Sequence, residues 1–278
     1  MGLAIVIAFW IGAWYLNSRL ASLPKSTATK FAVPSIFGIT ILGVWEGLVR
    51  SLDVPPVILP SPTLIAYRFS QSLDILWMDF LQTVVKGALS GYLIGCGSAF
   101  AIAILIDRSQ FLQKGLLPIG NFVAALPIVG TAPIFVMWFG FGWQSKAAVV
   151  VAMVFFPMLV NMVQGLSESE RMQRDLMKTY GANYWQTLMK LRLPAAMPFA
   201  FNGLKISTTL ALIGAIVAEF FGSPIVGMGF RISTEVGKMA LDMVWAEIVV
   251  AAVTGSLFYG MVAYVERGVT FWHPSKRN

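Results

Sequence analysis

Apolar runs separated by short polar segments follow one another along almost the whole chain. A helix needs roughly 20 residues to cross a bilayer, and seven runs approach that length. They cover residues 1–16, 31–49, 81–106, 116–140, 147–166, 203–221 and 246–265. The pattern therefore predicts an all-α polytopic membrane protein with seven transmembrane helices, the first of which is the shortest.

The polar connections 53–80 and 222–245 have local patterns of their own. The first opens with VPPVILPSP and continues with apolar and charged faces, which predicts a helix lying in the membrane interface. The second contains GSPIVGMGF, whose Gly and Pro content favours a short re-entrant or surface element that lines a cavity.

Composition agrees with a membrane protein, since 57% of the residues are hydrophobic, 12% are charged and the mean hydropathy is +0.75. Soluble domains carry about 25% charged residues. The single cysteine, Cys96, and the single histidine, His273, are too few for a His/Cys metal cluster or a Cys-His or Ser-His-Asp catalytic group. The charges that make up the net +7 lie between apolar runs and form no basic stripe, which argues against nucleic-acid binding.

The Lys and Arg residues predict the orientation, because cytoplasmic connections of membrane proteins carry an excess of them. On alternate sides of the seven predicted spans, fourteen of the 20 lie on one side and six on the other. The richer side holds Arg19 and the long connection 167–205. The distribution predicts an N-terminus outside, a C-terminus inside and a cytoplasmic loop at 167–205.

The loop 167–205 carries signals for two helices, of which the first is expected between Ser167 and Gly181. Ser167 followed by Glu170 is typical of a capping box, so we expect the first helix to start there. It should end at Gly181, because glycine adopts the left-handed conformation that closes many helices.

The second helix of the loop is expected to be short and amphipathic. Asn183 with Gln186 predicts its start, and Pro194 predicts its end, because a proline disfavours helix at the residue before it. Its apolar sector carries Tyr184, Trp185, Leu188 and Met189. Aromatic residues exposed away from any core favour a docking surface for another protein; an interfacial helix lying on lipid headgroups is the equal alternative.

The same loop resembles the signature loop of bacterial ABC importer permeases, written as EAA, three residues, Gly, nine residues, Ile, one residue, Leu-Pro. Here Gly181 is followed by nine residues and then by Leu191, Arg192, Leu193 and Pro194, so the spacing matches in full. The triplet departs, because Asp175, Leu176 and Met177 stand in its place and keep only the acid in type.

Four other stretches resemble the subfamily that includes nitrate, sulfonate, taurine and pyrimidine-type importers. They are ALPIVGTAPIFVMWFGFG at 125–142, FFPMLVNMVQGL at 155–166, AEFFG at 218–222 and WHPS at 272–275. The resemblance covers residues 31–278, the expected permease domain. Residues 1–30 look like an extra N-terminal transmembrane helix and cytoplasmic linker added to a six-helix core.

The resemblance implies a multi-pass permease of the bacterial plasma (inner) membrane, paired with a second permease copy and surrounded by membrane lipids. Two copies of an ATPase would dock on the loops and an extracytoplasmic binding protein would deliver a small polar or anionic solute, such as a sulfonate, a nitrate-like anion or a pyrimidine-type heterocycle. ATP and Mg would be bound by the ATPase and no cofactor by this chain, which has no P-loop sequence and should not be an enzyme. The residues implied in ATPase coupling are Asp175, Gly181, Ala182, Tyr184, Trp185, Leu188, Leu191, Leu193 and Pro194.

Polar residues deep in the predicted spans are costly in lipid and are therefore candidates for the transport pathway. The candidates for a pathway or gate are Glu219, Asn161 and Gln164, together with Pro127 and Pro133, which should bend or break the fourth span. Glu46 and Lys86 lie near span ends, where snorkelling explains them.

Three glycines recur every four residues in the third run, at Gly87, Gly91 and Gly95. Small residues at this spacing let helices approach closely in lipid. They predict a packing face within the subunit, with a dimer seam as the alternative.

Two other function classes fit this sequence less well than a permease. A stand-alone secondary transporter or channel would need inverted repeats or a buried ion relay, and the sequence contains neither. A membrane-embedded enzyme would need reactive groups gathered at one depth, whereas the acids here are scattered.

Overall fold

The computed structural model describes residues 2–24, 26–109, 115, 118, 120, 127–222 and 225–272. Most residues in the first part of the predicted fourth run lie outside these ranges, and so do the residues from 273 onward, with His273. The helices are α1 (Gly2–Ala21), α2 (Thr27–Ser51), α3 (Pro62–Gln71), α4 (Leu73–Asp107), α5 (Ile128–Phe139), α6 (Trp143–Ser167), α7 (Arg171–Thr179), α8 (Tyr184–Phe221), α9 (Met228–Gly237) and α10 (Leu241–Val269). No strand occurs in the described ranges, which confirms the all-α prediction.

Within the described ranges, six helices are long and apolar enough to cross a membrane, namely α1, α2, α4, α6, α8 and α10. The short first run is therefore part of a span-length helix. Of the predicted fourth span, the structure describes residues 118, 120 and 127–140, and α5 covers 12 of them. Pro127 is extended and directly precedes α5, whereas Pro133 lies inside it.

Two of the long helices contain π-helical segments, at Leu81–Leu89 in α4 and at Leu188–Arg192 in α8. The predicted interfacial segment 63–80 is divided between two helices. Pro62–Gln71 forms α3 alone, and residues 73–80 are the first turns of α4. The apolar residues before Leu81 therefore lengthen the membrane-spanning helix.

One compact unit consists of Met1–Leu76 and Ile232–Ile248. Its α1 and α2 pack closely because Gly43 leaves room for the ring of Phe9, which an added Cβ would approach to 2.8 Å. Glu46 accepts the N–H of Thr63 in the first turn of α3 at 3.0 Å and pairs with Arg50 at 2.5 Å. The carboxylate that we expected to snorkel thus joins α2 to α3.

The other unit consists of Trp77–Arg231 and Val249–Asn278, and α6 lies at its centre against both α4 and α8. Its core contains Val150, Val154, Met158 and many alanines. Gly91 and Gly95 of α4 face α6, where an added Cβ would collide with Val150 or Val154. The prediction of a glycine packing face within the subunit is confirmed.

Candidate functional site

The first helix of the polar loop begins later than the sequence predicts. Helix α6 continues to Ser167, whose hydroxyl donates back to the carbonyl of Gln164 at 2.7 Å. The predicted start at Ser167 is therefore wrong, because this hydroxyl is bonded within the preceding helix. Glu170 itself caps α7, and the side chain of Gln173 accepts the Glu170 N–H at 3.2 Å to complete the capping box.

The turn between α7 and α8 has the geometry that its glycine predicts. Gly181 adopts a φ of +71°. The N–H of Ala182 donates to the carbonyl of Met177 at 3.0 Å, and the N–H of Gly181 donates to that of Lys178 at 2.9 Å. This pair of bonds is a Schellman motif, which satisfies carbonyls at the helix end. The predicted glycine end of the first helix is confirmed.

The second helix starts where expected but does not stop at Pro194. Asn183 and Gln186 each accept the other's backbone N–H at 2.9 Å, which confirms the predicted cap. The predicted proline end is wrong, because Tyr184–Phe221 is one helix of 38 residues. The Leu193 N–H reaches the carbonyl of Leu188 five residues back. This π segment precedes Pro194, which lacks an N–H, and lets the helix continue through it.

The loop presents apolar side chains to its surroundings, and we call residues Met172, Leu176, Tyr180, Trp185 and Met189 the loop surface. Tyr180 is 81% exposed, Met189 59% and Trp185 50%. Among the other residues predicted for coupling, Asp175 and Gly181 are exposed, and Ala182, Tyr184, Leu191, Leu193 and Pro194 are half-buried. Leu188 is buried in the core, so the predicted apolar sector faces in two directions.

A charged cluster holds the start of α8, and it was not predicted from the sequence. Arg192 binds both carboxylate oxygens of Asp107, at 2.5 and 2.6 Å, and donates to the carbonyl of Leu166 at 2.9 and 3.0 Å. The Tyr184 hydroxyl donates to the same carboxylate at 2.9 Å. The ends of α4 and α6 are thereby bound to the start of α8. Arg192 occupies the unspecified position of the signature, so the motif alone could not have identified it.

The arginine after Asp107 contacts the aromatic residues at the start of α8. The guanidinium of Arg108 lies 4.5 Å from the ring centre of Tyr184 and 4.6 Å from that of Trp185. Such cation–π contacts favour one orientation of the rings. The exposed indole of Trp185 is therefore held in one orientation.

A second buried polar cluster surrounds Glu219, near the end of α8. The Glu219 side chain is 99% buried and accepts the Gly229 N–H at 2.8 Å and the Thr83 hydroxyl at 2.8 and 3.0 Å. Thr83 in turn accepts the N–H of Met228 at 2.7 Å. Glu219 and Thr83 thus accept backbone N–H groups at the start of α9. The first N–H groups of a helix have no acceptor within the helix itself.

Asp79 completes the second cluster from the first turns of α4. One carboxylate oxygen accepts the Gly227 N–H at 2.6 Å, and the other accepts the guanidinium of Arg231 at 2.9 Å. Lys146, at the start of α6, is fully buried and donates to the carbonyls of Phe141, at 2.8 Å, and Gly222. The spacing of Asp79 and Thr83, four residues apart on one helix face, was the available signal.

The other predicted pathway residues lie on α6. Asn161 donates to the carbonyl of Pro157 at 2.8 Å and accepts from the amide of Asn202 on α8 at 3.0 Å. Gln164 and Asn202 are exposed, and so is Lys86 of α4. Across the described residues, no group of three or more His, Cys, Asp or Glu could hold a metal ion.

The described residues form a bundle of membrane-spanning helices, and an apolar loop surface is joined directly to one of them, α8. Residues 91–271 match the family described as binding-protein-dependent transport system inner membrane component. The chain belongs to this family of ABC transporter permeases, which confirms the resemblance in its sequence, and it is a multi-pass protein of the plasma membrane. Systems of this family generally include an ATPase and a solute-binding protein.

Three relatives show how far the similarity extends. The riboflavin transport system permease protein of Chloroflexus aurantiacus is 31% identical over 94% of this chain and 97% of its own length. A probable ABC transporter permease protein of Haemophilus influenzae is 32% identical over 76% and 85%. The formylaminopyrimidine transport permease protein of Halalkalibacterium halodurans is 28% identical over 86% and 95%.

Proposed function

We propose that this chain is the permease of an ATP-driven importer and receives an ATPase subunit on its loop surface. The observation that carries this proposal is the position of Trp185 and Met189, half-exposed in the first turns of a helix that continues to Phe221. A force applied there acts directly on a transmembrane helix. Two permease copies, two ATPase subunits and a solute-binding protein outside the cell complete the proposed assembly, with residues 167–205 in the cytoplasm.

The proposed solute is small and polar or anionic, and a nitrogen heterocycle is the favoured class. This preference rests on the names of relatives, which include permeases for riboflavin and formylaminopyrimidine. The names of other relatives refer to aliphatic sulfonates, taurine and bicarbonate. In the proposed assembly the binding protein, a separate chain, provides most of the selectivity.

We assign Asn161 and Gln164 of α6 to the pathway, together with α5 and its Pro133. Polar side chains in a membrane-spanning helix usually face the bundle interior or a water-filled cavity, and the partly exposed Asn161–Asn202 pair extends across α6 and α8. Glu219 has a different proposed role. Its oxygens already bind Thr83 and Gly229, so it would act as a gate residue by holding the start of α9. Pro127, which directly precedes α5, stays in the proposed pathway region.

Replacing Trp185 by alanine tests the docking of the ATPase. Buried tryptophans are frequent hot spots at protein interfaces, so we expect the affinity for the partner ATPase to fall at least about tenfold, or about 1.4 kcal/mol. The affinity is measured by titrating the purified ATPase onto the permease in lipid nanodiscs, with co-purification as a second readout.

The matched control is Trp138→Ala, which removes an indole that is 72% exposed on α5 and is not one of the loop-surface residues. It should leave the affinity unchanged. Equal binding by the Trp185→Ala variant and the unmodified chain would contradict docking at the loop surface. Solute uptake by vesicles that contain this chain without any ATPase would favour the stand-alone transporter instead.

A further inference from the structure

We propose that α4, α6 and α8 are tied at both ends into one block, which carries a displacement of the loop surface to the residues that begin α9. This inference rests on the proposed function and adds the route by which ATPase movement reaches the far side. The positioning residues are Asp107 and Arg192 at one end and Asp79 and Glu219 at the other. We call these two groups the loop cluster and the α9 cluster.

The loop cluster joins all three helices with charge-assisted hydrogen bonds. Asp107 is the last residue of α4, Leu166 is next to the end of α6, and Arg192 lies near the start of α8. The guanidinium bridges the other two by its bidentate bond to the carboxylate and its bonds to the carbonyl. Bidentate pairs of this kind restrict orientation as well as distance. The start of α8 therefore cannot move without the ends of α4 and α6.

The α9 cluster joins the opposite ends of the same helices. Thr83 of α4 binds Glu219 of α8, and Lys146 of α6 donates to the carbonyl of Gly222, directly after α8. Asp79 and Glu219 hold the N–H groups of Gly227 and Gly229. The backbone that enters α9 is thus attached to this end of the block.

Between the clusters, small residues leave little room for the helices to slide. An added Cβ at Gly203 would lie 2.9 Å from the sulfur of Met158, and one at Gly214 would lie 2.8 Å from that of Met153. The hydroxyl of Tyr92 on α4 also donates to the carbonyl of Leu204 on α8 at 3.2 Å. Close-packed interiors transmit displacement because they have low compressibility.

The block is long enough to connect the two sides of a membrane. Along α4, Asp79 of one cluster and Asp107 of the other are 28 residues apart, which at ~1.5 Å per residue is about 42 Å. A bilayer with its headgroups is about 40–45 Å thick. Because the clusters lie at opposite ends of α4, they lie near opposite membrane surfaces. The loop cluster is at the predicted cytoplasmic end and the α9 cluster at the predicted outer end.

The test measures whether residues before α9 respond to nucleotide through the loop cluster. Ile225 is 80% exposed, so Ile225→Cys adds a reactive thiol, and the native Cys96 is buried. The permease is assembled in nanodiscs with its partner ATPase and binding protein. The labelling rate with a membrane-impermeant maleimide is compared without nucleotide and after trapping with ATP and vanadate. We expect trapping to change the rate by about threefold or more.

The deciding variant combines Asp107→Asn with Arg192→Gln. It removes both charges of the bidentate ion pair, so neither charge is left without its partner. We expect the ATPase to remain bound while the labelling rate at Ile225→Cys no longer responds to trapping. Asp79→Asn combined with Arg231→Gln should abolish the response from the other end. If the first variant does not assemble, Tyr184→Phe weakens the same cluster by one hydrogen bond and should reduce the response.

The matched control is Lys205→Gln combined with Glu266→Gln. This pair is 2.9 Å apart, joins α8 to α10, and has side chains 19% and 12% exposed, against 16% and 12% for Arg192 and Asp107. This control should keep the full change in the labelling rate on trapping. That result would show that the cluster variants act on the position of the residues before α9 and not through a general loss of stability. If both cluster variants keep the ATPase bound and keep the full response, the proposal of a connected block is overturned and the proposed function is not. A chain that binds no ATPase overturns the proposed function as well.

Discussion

A Gly181→Val variant is expected to insert and fold but to lose at least about tenfold in ATP-driven uptake. The φ of Gly181 is +71°, in the left-handed region that costs about 1–2 kcal/mol for residues with a Cβ and more for a β-branched one. No heavy atom lies within 4 Å of a Cβ placed there. The expected defect is therefore conformational, and it changes the angle between α7 and the start of α8.

The matched control for this prediction is Gly181→Asn, because asparagine adopts left-handed conformations far more readily than valine. It should retain most of the activity. The measurements are uptake of the solute and hydrolysis of ATP by the complete complex in proteoliposomes, with gel filtration as a check of folding. Normal uptake by the valine variant would contradict the proposed role of the turn.

A Gly91→Val variant is expected to destabilise the folded protein strongly. An added Cβ at Gly91 would lie 2.5 Å from the Cβ of Val150 and 2.7 Å from the carbonyl oxygen of Ala147. The second obstacle is backbone, so no side-chain rotation can relieve the clash. Overpacking commonly costs about 1–3 kcal/mol and sometimes more. We expect the upper end of this range, with the yield of monodisperse protein strongly reduced.

Gly97→Val on the same helix is the control for packing, because no heavy atom lies within 4 Å of its added Cβ. Both variants replace a helical glycine by valine, so the change in helix propensity is the same in each and cancels in the comparison. The thermal unfolding midpoint in detergent should fall only for Gly91→Val. Equal midpoints would mean that α4 and α6 are not packed as closely as the structure has them.

Features that depend on near neighbours in sequence could be predicted. The apolar runs predicted the long helices, because lipid selects for uninterrupted hydrophobic length. The end at Gly181 and the cap at Asn183 depend on bonds that span at most five residues. Those interactions are contained within the stretch of sequence in which they were predicted.

The two errors in the loop have a common physical origin, since a local rule competed with the continuation of a long helix. Ser167 can cap a helix, but its hydroxyl binds within α6 instead. Pro194 can end a helix, but the π segment before it lets α8 continue. In both cases the transmembrane helix extends further than the local start and stop signals in the sequence predict.

The charged clusters could not be predicted because their members are far apart in sequence. Glu219 and Thr83 are 136 positions apart, and Arg192 and Asp107 are 85 apart. In the sequence, Lys146 looked like one of the charges outside the predicted spans, and Asp79 looked like part of an interfacial helix. Only the packing of α4, α6 and α8 brings these groups together.

The bonds of Asp79 also set an order of events during biosynthesis. The ribosome adds Arg231 152 positions after Asp79, so at ~5–20 residues per second the carboxylate waits roughly 8–30 s for this partner. During that interval α4 has left the ribosome without the guanidinium that neutralises it. A chain terminated before residue 231 never supplies the partner, and we expect membrane quality-control proteases to degrade it.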